Sequence, residues 1–172
     1  SSAWLPSYNL HQMMAAEIED KKVLSMRFLS EGLPKEILVS LRQFANSYND
    51  WIGRIKAAAD SLEERQQKTA ETNISKCQAA YARIIHSIDL LEESLSGNAD
   101  AMKAFQMANE AMLLQRKQTL LKAGKEFNPD TVTWYPFQLA FILHELSSFI
   151  EPVSEERNTV DLLWFPTGGG KT

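Results

Sequence analysis

The sequence predicts a mainly α chain: a helical bundle built around a long antiparallel hairpin, running near its end into the start of an α/β core. Three observations predict this. Ile37, Leu41, Phe44, Tyr48, Trp51, Ile55, Ala58 and Leu62 step alternately by four and three, which draws one apolar seam of period 3.5 along a helix. A second seam, Ile74, Cys77, Tyr81, Ile84, Ile88, Leu91 and Leu95, resumes with the same steps after a polar stretch over residues 63–72. Finally, the short apolar run 161–165 leads directly into Pro166-Thr167-Gly168-Gly169-Gly170-Lys171-Thr172, the pattern of a buried strand feeding a glycine-rich turn.

Composition sets the bounds. The 172 residues suffice for one domain and the beginning of another. With 44% hydrophobic and 23% charged residues the chain reads as a globular protein, and no apolar stretch approaches the ~20 residues of a membrane span. A single cysteine, Cys77, excludes an internal disulfide framework and fits a reducing cytoplasm. The formal net charge of −4 lacks the basic surplus of a nucleic-acid-gripping module.

Taken in order, residues 1–8 read as an irregular lead-in. Helix formers dominate 9–30, with Leu10, Met14, Ile18, Leu24 and Phe28 available for a buried face. Gly32 and Pro34 end that helix, and Pro34 suits the first position of the next, where its missing N–H has no helical partner. The two seams over about 34–96 then predict a hairpin. A single uninterrupted helix is the rival, since 63–72 contains neither Gly nor Pro. Gly97-Asn98 marks a break, and Asn98 or Asp100 can cap a helix over 101–122 that turns Met102, Phe105 and Met112 inward and closes at Gly124. Asn128-Pro129-Asp130 is turn chemistry. An aromatic cluster follows, and Pro136 opens a helix to about residue 149 before a polar loop over 151–159. The helical region is therefore expected over 1–125, with a different unit over 126–172.

The glycine-rich end carries the clearest chemistry. Gly168, Gly169 and Gly170 allow a backbone curl that aims successive N–H groups at a polyphosphate. Lys171 would reach the outer phosphates, the Thr172 hydroxyl would hold Mg²⁺, and Thr167 completes the loop. This assigns ATP and Mg²⁺ as cofactors. The first glycine of the general phosphate-loop pattern is replaced by Phe165. The other titratable residues are bland. His11, His86 and His144 are far apart, Cys77 falls on an apolar seam, and neighbouring carboxylates on a helix do not face one another. Arg116, Lys117, Lys122 and Lys125 form a small basic group of the kind favoured near a helix C-terminus.

Read as Pro-Thr-Gly-x-Gly-Lys-Thr, residues 166–172 resemble motif I of superfamily 2 helicases, in which the opening position is relaxed. Many of these proteins also place an aromatic–Gln pair one helix, a loop and a strand upstream, as Phe137-Gln138 stands here, and the Gln amide reads the adenine edge. Phe137 and Trp134 are then candidates to stack on the base, although such residues more often belong to a core. Residues 104–115 and 134–143, with 161–172, further resemble the helicase-like proteins of the DISARM bacterial anti-phage systems. That resemblance implies a helical region ahead of two RecA-like lobes, so that 126–172 would be the start of a RecA-like nucleotide-binding lobe, cut at the phosphate loop. It implies an ATP-driven motor acting on nucleic acid, DNA in preference, with phosphate binding at Gly168, Gly169, Gly170 and Lys171, Mg²⁺ at Thr172 and adenine recognition at Gln138. No catalytic set is complete, and the piece alone is expected to be inactive towards ATP. The alternative expectation is a helical interaction or scaffold module with a protein partner on the helical region and no motor activity in this piece.

Overall fold

A computed structural model describes residues 18, 20–97, 100–153, 155–158 and 160. Within them the chain is helical, as expected. The helices are α1 (Met26–Glu31), α2 (Pro34–Ala59), α3 (Glu64–Glu93), α4 (Ala101–Lys122) and α5 (Pro136–Ile150), with 3-10 turns at Lys21–Leu24, Pro129–Thr131 and Glu155–Asn158. Among the described residues there is no strand, and the expected strand over 161–165 lies outside them.

The hairpin forms, and the uninterrupted helix is ruled out. The turn falls at residues 60–63, ahead of the polar stretch, so residues 64–72 become the solvated first turns of α3. Side chains replace the missing Gly or Pro. Gln67 donates through Nε2 to the carbonyls of Asp60 (3.2 Å) and Leu62 (2.9 Å), and the Ser61 hydroxyl donates to Ala58 O (2.8 Å). Carbonyls at the end of α2 are thereby satisfied. Deeper in, Arg42 on α2 reaches Asp89 at 2.7 Å and Glu92 on α3.

The α3 seam stands as read through Leu91, while Leu95, past the helix end, is exposed. The α2 seam is shifted. Its buried positions are Ile37, Leu38, Leu41, Ala45, Ile52 and Ala59, whereas Trp51, Ile55, Ala58 and Leu62 are exposed. Two overlapping seams one residue out of phase share Leu41, Tyr48 and Ile55. The one that wins puts Ala45, Ile52 and Ala59 inward, with Ile52 where the bulkier Trp51 would hold the helices apart. Trp51 lies outside, stacked on Tyr48 with ring centroids 5.7 Å apart.

Of the helix expected over 9–30, residues 9–17 and 19, with Leu10 and Met14, lie outside the described residues, and the described part is broken at Ser25. Ser25 takes an extended conformation and its hydroxyl accepts from Phe28 N (3.2 Å), capping α1. The reason is tertiary: Ser25 pairs as an isolated antiparallel bridge with Thr133. Met26 N donates to Val132 O (3.2 Å) and Trp134 N to Leu24 O (2.8 Å). These backbone bonds to the far end of the chain displace two helical ones. Gly32 closes α1, and a Cβ there would lie 2.5 Å from Phe28 O.

α4 packs on α1 through Met102, Phe105, Asn109 and Leu113. Leu113, not the expected Met112, faces inward, because the phase set by Met102 and Phe105 advances to 109 and 113. The cap at its start is also corrected. Asp100 makes no side-chain cap bond, and Ser94 from the preceding turn accepts from Met102 N at 3.1 Å; Asn98 lies outside the described residues. Gly124 ends the helix at φ +68°, with Lys125 N donating back to Leu120 O at 2.9 Å. α5 begins at Pro136 as read and lays Leu139, Leu143 and Ser147 against α3. One core joins Val23, Leu24, Leu29, Ile37, Leu41, Ile88, Leu91, Phe105, Leu139 and Leu143.

Candidate functional site

Of the residues expected to hold nucleotide, Gln138 is the one the structure describes. Thr167, Gly168, Gly169, Gly170, Lys171 and Thr172 lie outside the described residues. The site is therefore built from the head of α5.

Tyr135 stands just before the helix in an extended conformation, and Pro136 occupies the first helical position. Gln138 is the third residue in. Its Oε1 accepts from the Tyr135 backbone N–H at 3.0 Å, while its own N–H donates to Tyr135 O at 2.9 Å. This is the returning half of a capping box, and it fixes the amide against the helix start. Gln138 is half-buried. Beside it the Tyr135 and Phe137 rings stack in parallel, with centroids 5.7 Å apart and planes 5° from one another, and the Tyr135 ring is exposed.

Trp134 is committed elsewhere. Its indole N–H donates to Asn109 Oδ1 at 2.8 Å, and its ring packs against both the main core and the Met26–Leu113–Val132 cluster. Asn109, buried, donates in turn to Phe105 O at 2.8 Å. Of the two aromatic candidates for base stacking, both half-buried, Trp134 thus packs on the core while Phe137 stacks on the exposed Tyr135. Sequence reading passed over Tyr135. Its signal was available, since the residue before a helix-opening proline is held extended and cannot follow the helix inward.

The remaining candidates prove structural. His86 Nε2 lies 2.9 Å from Glu151 Oε2, and His144 Nδ1 lies 2.7 Å from the neighbouring Glu145. Cys77 is half-buried on the second seam with Ile52, Ala59 and Ile74. Burial, with Cys77 beside it, holds the Tyr48 phenol proton well above the ordinary value of 10.0. Arg116, Lys117, Lys122 and Lys125 are exposed, and Lys117 Nζ stands 5.6 Å above the Phe127 ring. Among the described residues no group of His, Cys, Asp or Glu could hold a metal ion, and no helix is long and apolar enough to cross a membrane.

The described residues thus form a helical body whose last long helix has a polar, aromatic-flanked start. No family model matches the chain. It is, however, 36% identical over 188 aligned residues to the DISARM protein DrmA of Bacillus paralicheniformis. The match takes in 99% of this chain and 16% of that protein, so the chain spans about a sixth of the length of the curated relative it matches. Identity at this level along the whole chain makes it homologous to that segment of DrmA.

Proposed function

We propose that this chain is one portion of an ATP-dependent superfamily 2 helicase or translocase, acting on nucleic acid, DNA in preference, in defence against phage. One observation carries the reading. A sequence homologous to part of a DISARM protein contains Pro166-Thr-Gly-Gly-Gly-Lys-Thr172 downstream of a Gln-headed helix. In the intact protein, Thr167, Gly168, Gly169 and Gly170 surround the phosphates, Lys171 offsets their charge and Thr172 holds Mg²⁺. Bound ATP supplies the free energy that moves one lobe against another. The chain's own contribution to adenine lies at Gln138. Its Oε1 accepts from the Tyr135 N–H, and that capping bond removes orientational freedom of the amide before nucleotide arrives. The stacked pair of exposed Tyr135 and half-buried Phe137 offers a flat apolar wall beside that amide. The protein works in the cytoplasm, where ATP and phage DNA are both present.

Phosphate release by the longer protein that contains this segment tests the reading. Lys171→Ala abolishes turnover. Gln138→Ala raises the KM for ATP several-fold and narrows the preference for ATP over GTP, because the lost contacts read the base. Turnover that survives Lys171→Ala, or activity of the 172-residue chain by itself, overturns it.

A second reading is favoured by the hairpin surface, where Trp51, Ile55 and Leu62 are exposed on a projecting helix pair. On it, the helical region serves as a scaffold and the phosphate loop contributes nothing to this piece. Trp51→Ala with Ile55→Ala then removes a partner subunit while leaving ATP turnover intact.

A further inference from the structure

α4 is apolar on two opposite sides. The inner side, Met102, Phe105 and Leu113 with Asn109, is buried against α1 and the core. At 3.6 residues per turn, a second stripe centres about 150° round the helix from the first. It comprises Met107, Ala111, Leu114, Gln118 and Leu121, spaced by four, three, four and three. All five are exposed; the three large side chains stand 59%, 48% and 56% open to solvent. Scattered exposed apolar residues need no explanation, but a heptad-spaced row of them is the seam of a coiled coil without its partner.

We propose that this stripe pairs with the same stripe of a second copy of the chain, antiparallel, about a two-fold axis through Leu114. The residues themselves select that partner and orientation. With Leu114 on the axis, Met107 meets Leu121 of the second copy, and small Ala111 faces longer Gln118, so large and small alternate across the contact. The bordering charges then match: Glu110 faces Lys117 of the second copy, twice by symmetry. A parallel pairing sets Lys117 against Lys122 of the second copy on both sides, and like charges there repel. The inner side of α4 is filled by α1, so the pairing disturbs nothing already packed. This inference is independent of the nucleotide reading, since none of the residues concerned belongs to the head of α5 or to the phosphate loop.

Two heptads make a contact at the small end of specific interfaces, and a dissociation constant on the order of 10 µM is expected. Sedimentation of the full 172-residue chain from about 1 to 200 µM reads it directly, as a monomer–dimer equilibrium across that range. Leu114→Glu, which sets two carboxylates on the axis, weakens the dimer at least about 100-fold, with circular dichroism confirming that the exposed substitution leaves the helices in place. Orientation is read by disulfide trapping in a Cys77→Ser background. Met107→Cys mixed with Leu121→Cys gives the mixed cross-linked dimer in preference to either self-dimer. A chain that remains monomeric at the highest concentration, a dimer indifferent to Leu114→Glu, or preferential trapping of Met107→Cys with itself each overturns the proposal.

Discussion

Replacing Asn109 with leucine is expected to destabilise the fold by about 2 kcal/mol, although leucine is the more apolar residue at a buried site. The side chain does two things. Its Nδ2 donates to Phe105 O and its Oδ1 accepts the Trp134 indole N–H, both at 2.8 Å. Phe105 O lies inside α4 and keeps its helical partner, so losing the first bond costs little. The indole N–H is different: it is half-buried, its acceptor is gone, and an unsatisfied donor there costs about 1–3 kcal/mol. For a chain of this length that corresponds to a fall in Tm of about 4–8 °C. Trp134→Phe removes the donor and leaves the buried Asn109 oxygen short of one partner, with a further loss from the smaller ring. In the double variant neither orphan remains, so the two changes couple by about 1–2 kcal/mol. Urea unfolding followed by circular dichroism at each corner of the cycle measures this without relying on Trp134 fluorescence. A coupling energy under about 0.3 kcal/mol would mean that the bond contributes nothing beyond packing, and the account of how the head of α5 is held would be wrong.

Other expectations are narrower. Gly124→Ala costs about 1 kcal/mol from the left-handed backbone alone, since a Cβ there meets nothing within 4 Å, whereas Gly32→Ala costs more because its Cβ would meet the Phe28 carbonyl; comparative thermal melts give the order. Arg42→Met lowers stability by no more than about 1 kcal/mol, and the loss shrinks in high salt, because Asp89 and Glu92 are partly solvated. Tyr48 should stay protonated where an ordinary tyrosine ionises. Its folded pKa is raised, so the stability it contributes is fully present below pH 10.0, the unfolded value, and is lost as pH climbs towards the folded one. In an ultraviolet pH titration the part of the tyrosine signal that Tyr48→Phe removes appears only above pH 10.0; a Tyr48 transition at pH 10.0 would contradict this.

Much of the helical frame is legible along the chain because its signals are local. Pro34 and Pro136 open helices, Gly124 closes one, Asn128 makes its turn by accepting from Asp130 N at 3.0 Å, and the α3 seam reads directly from its spacing. The misreadings share one cause, competition from residues distant in sequence. Ser25 leaves the helix because Thr133 pairs with it. Ser94 caps α4 across a turn in place of Asp100. The α2 seam slips by one because the contact favours Ile52 over the bulkier Trp51. At the candidate site, a Gln placed just after a helix-opening Pro was readable as such. Its bond to Tyr135 is local, but the withdrawal of Trp134 into the core depends on Asn109, 25 residues away, and could not be read from the neighbouring residues.

The bridge between Ser25 and Thr133 sets a practical limit on dissecting the molecule. Everything from α1 to the end of α4 is a single excursion whose two ends are sewn together by Leu24, Met26, Val132 and Trp134. The closure joins segments far apart in sequence and carries the loop-closure cost of the whole hairpin between them. Scissors placed at residue 125 would unpick that seam and also take Leu139 and Leu143 out of the interior, leaving Leu24 and Ile88 facing water. Anyone wishing to study the helices apart from the glycine-rich end should cut beyond Ile150.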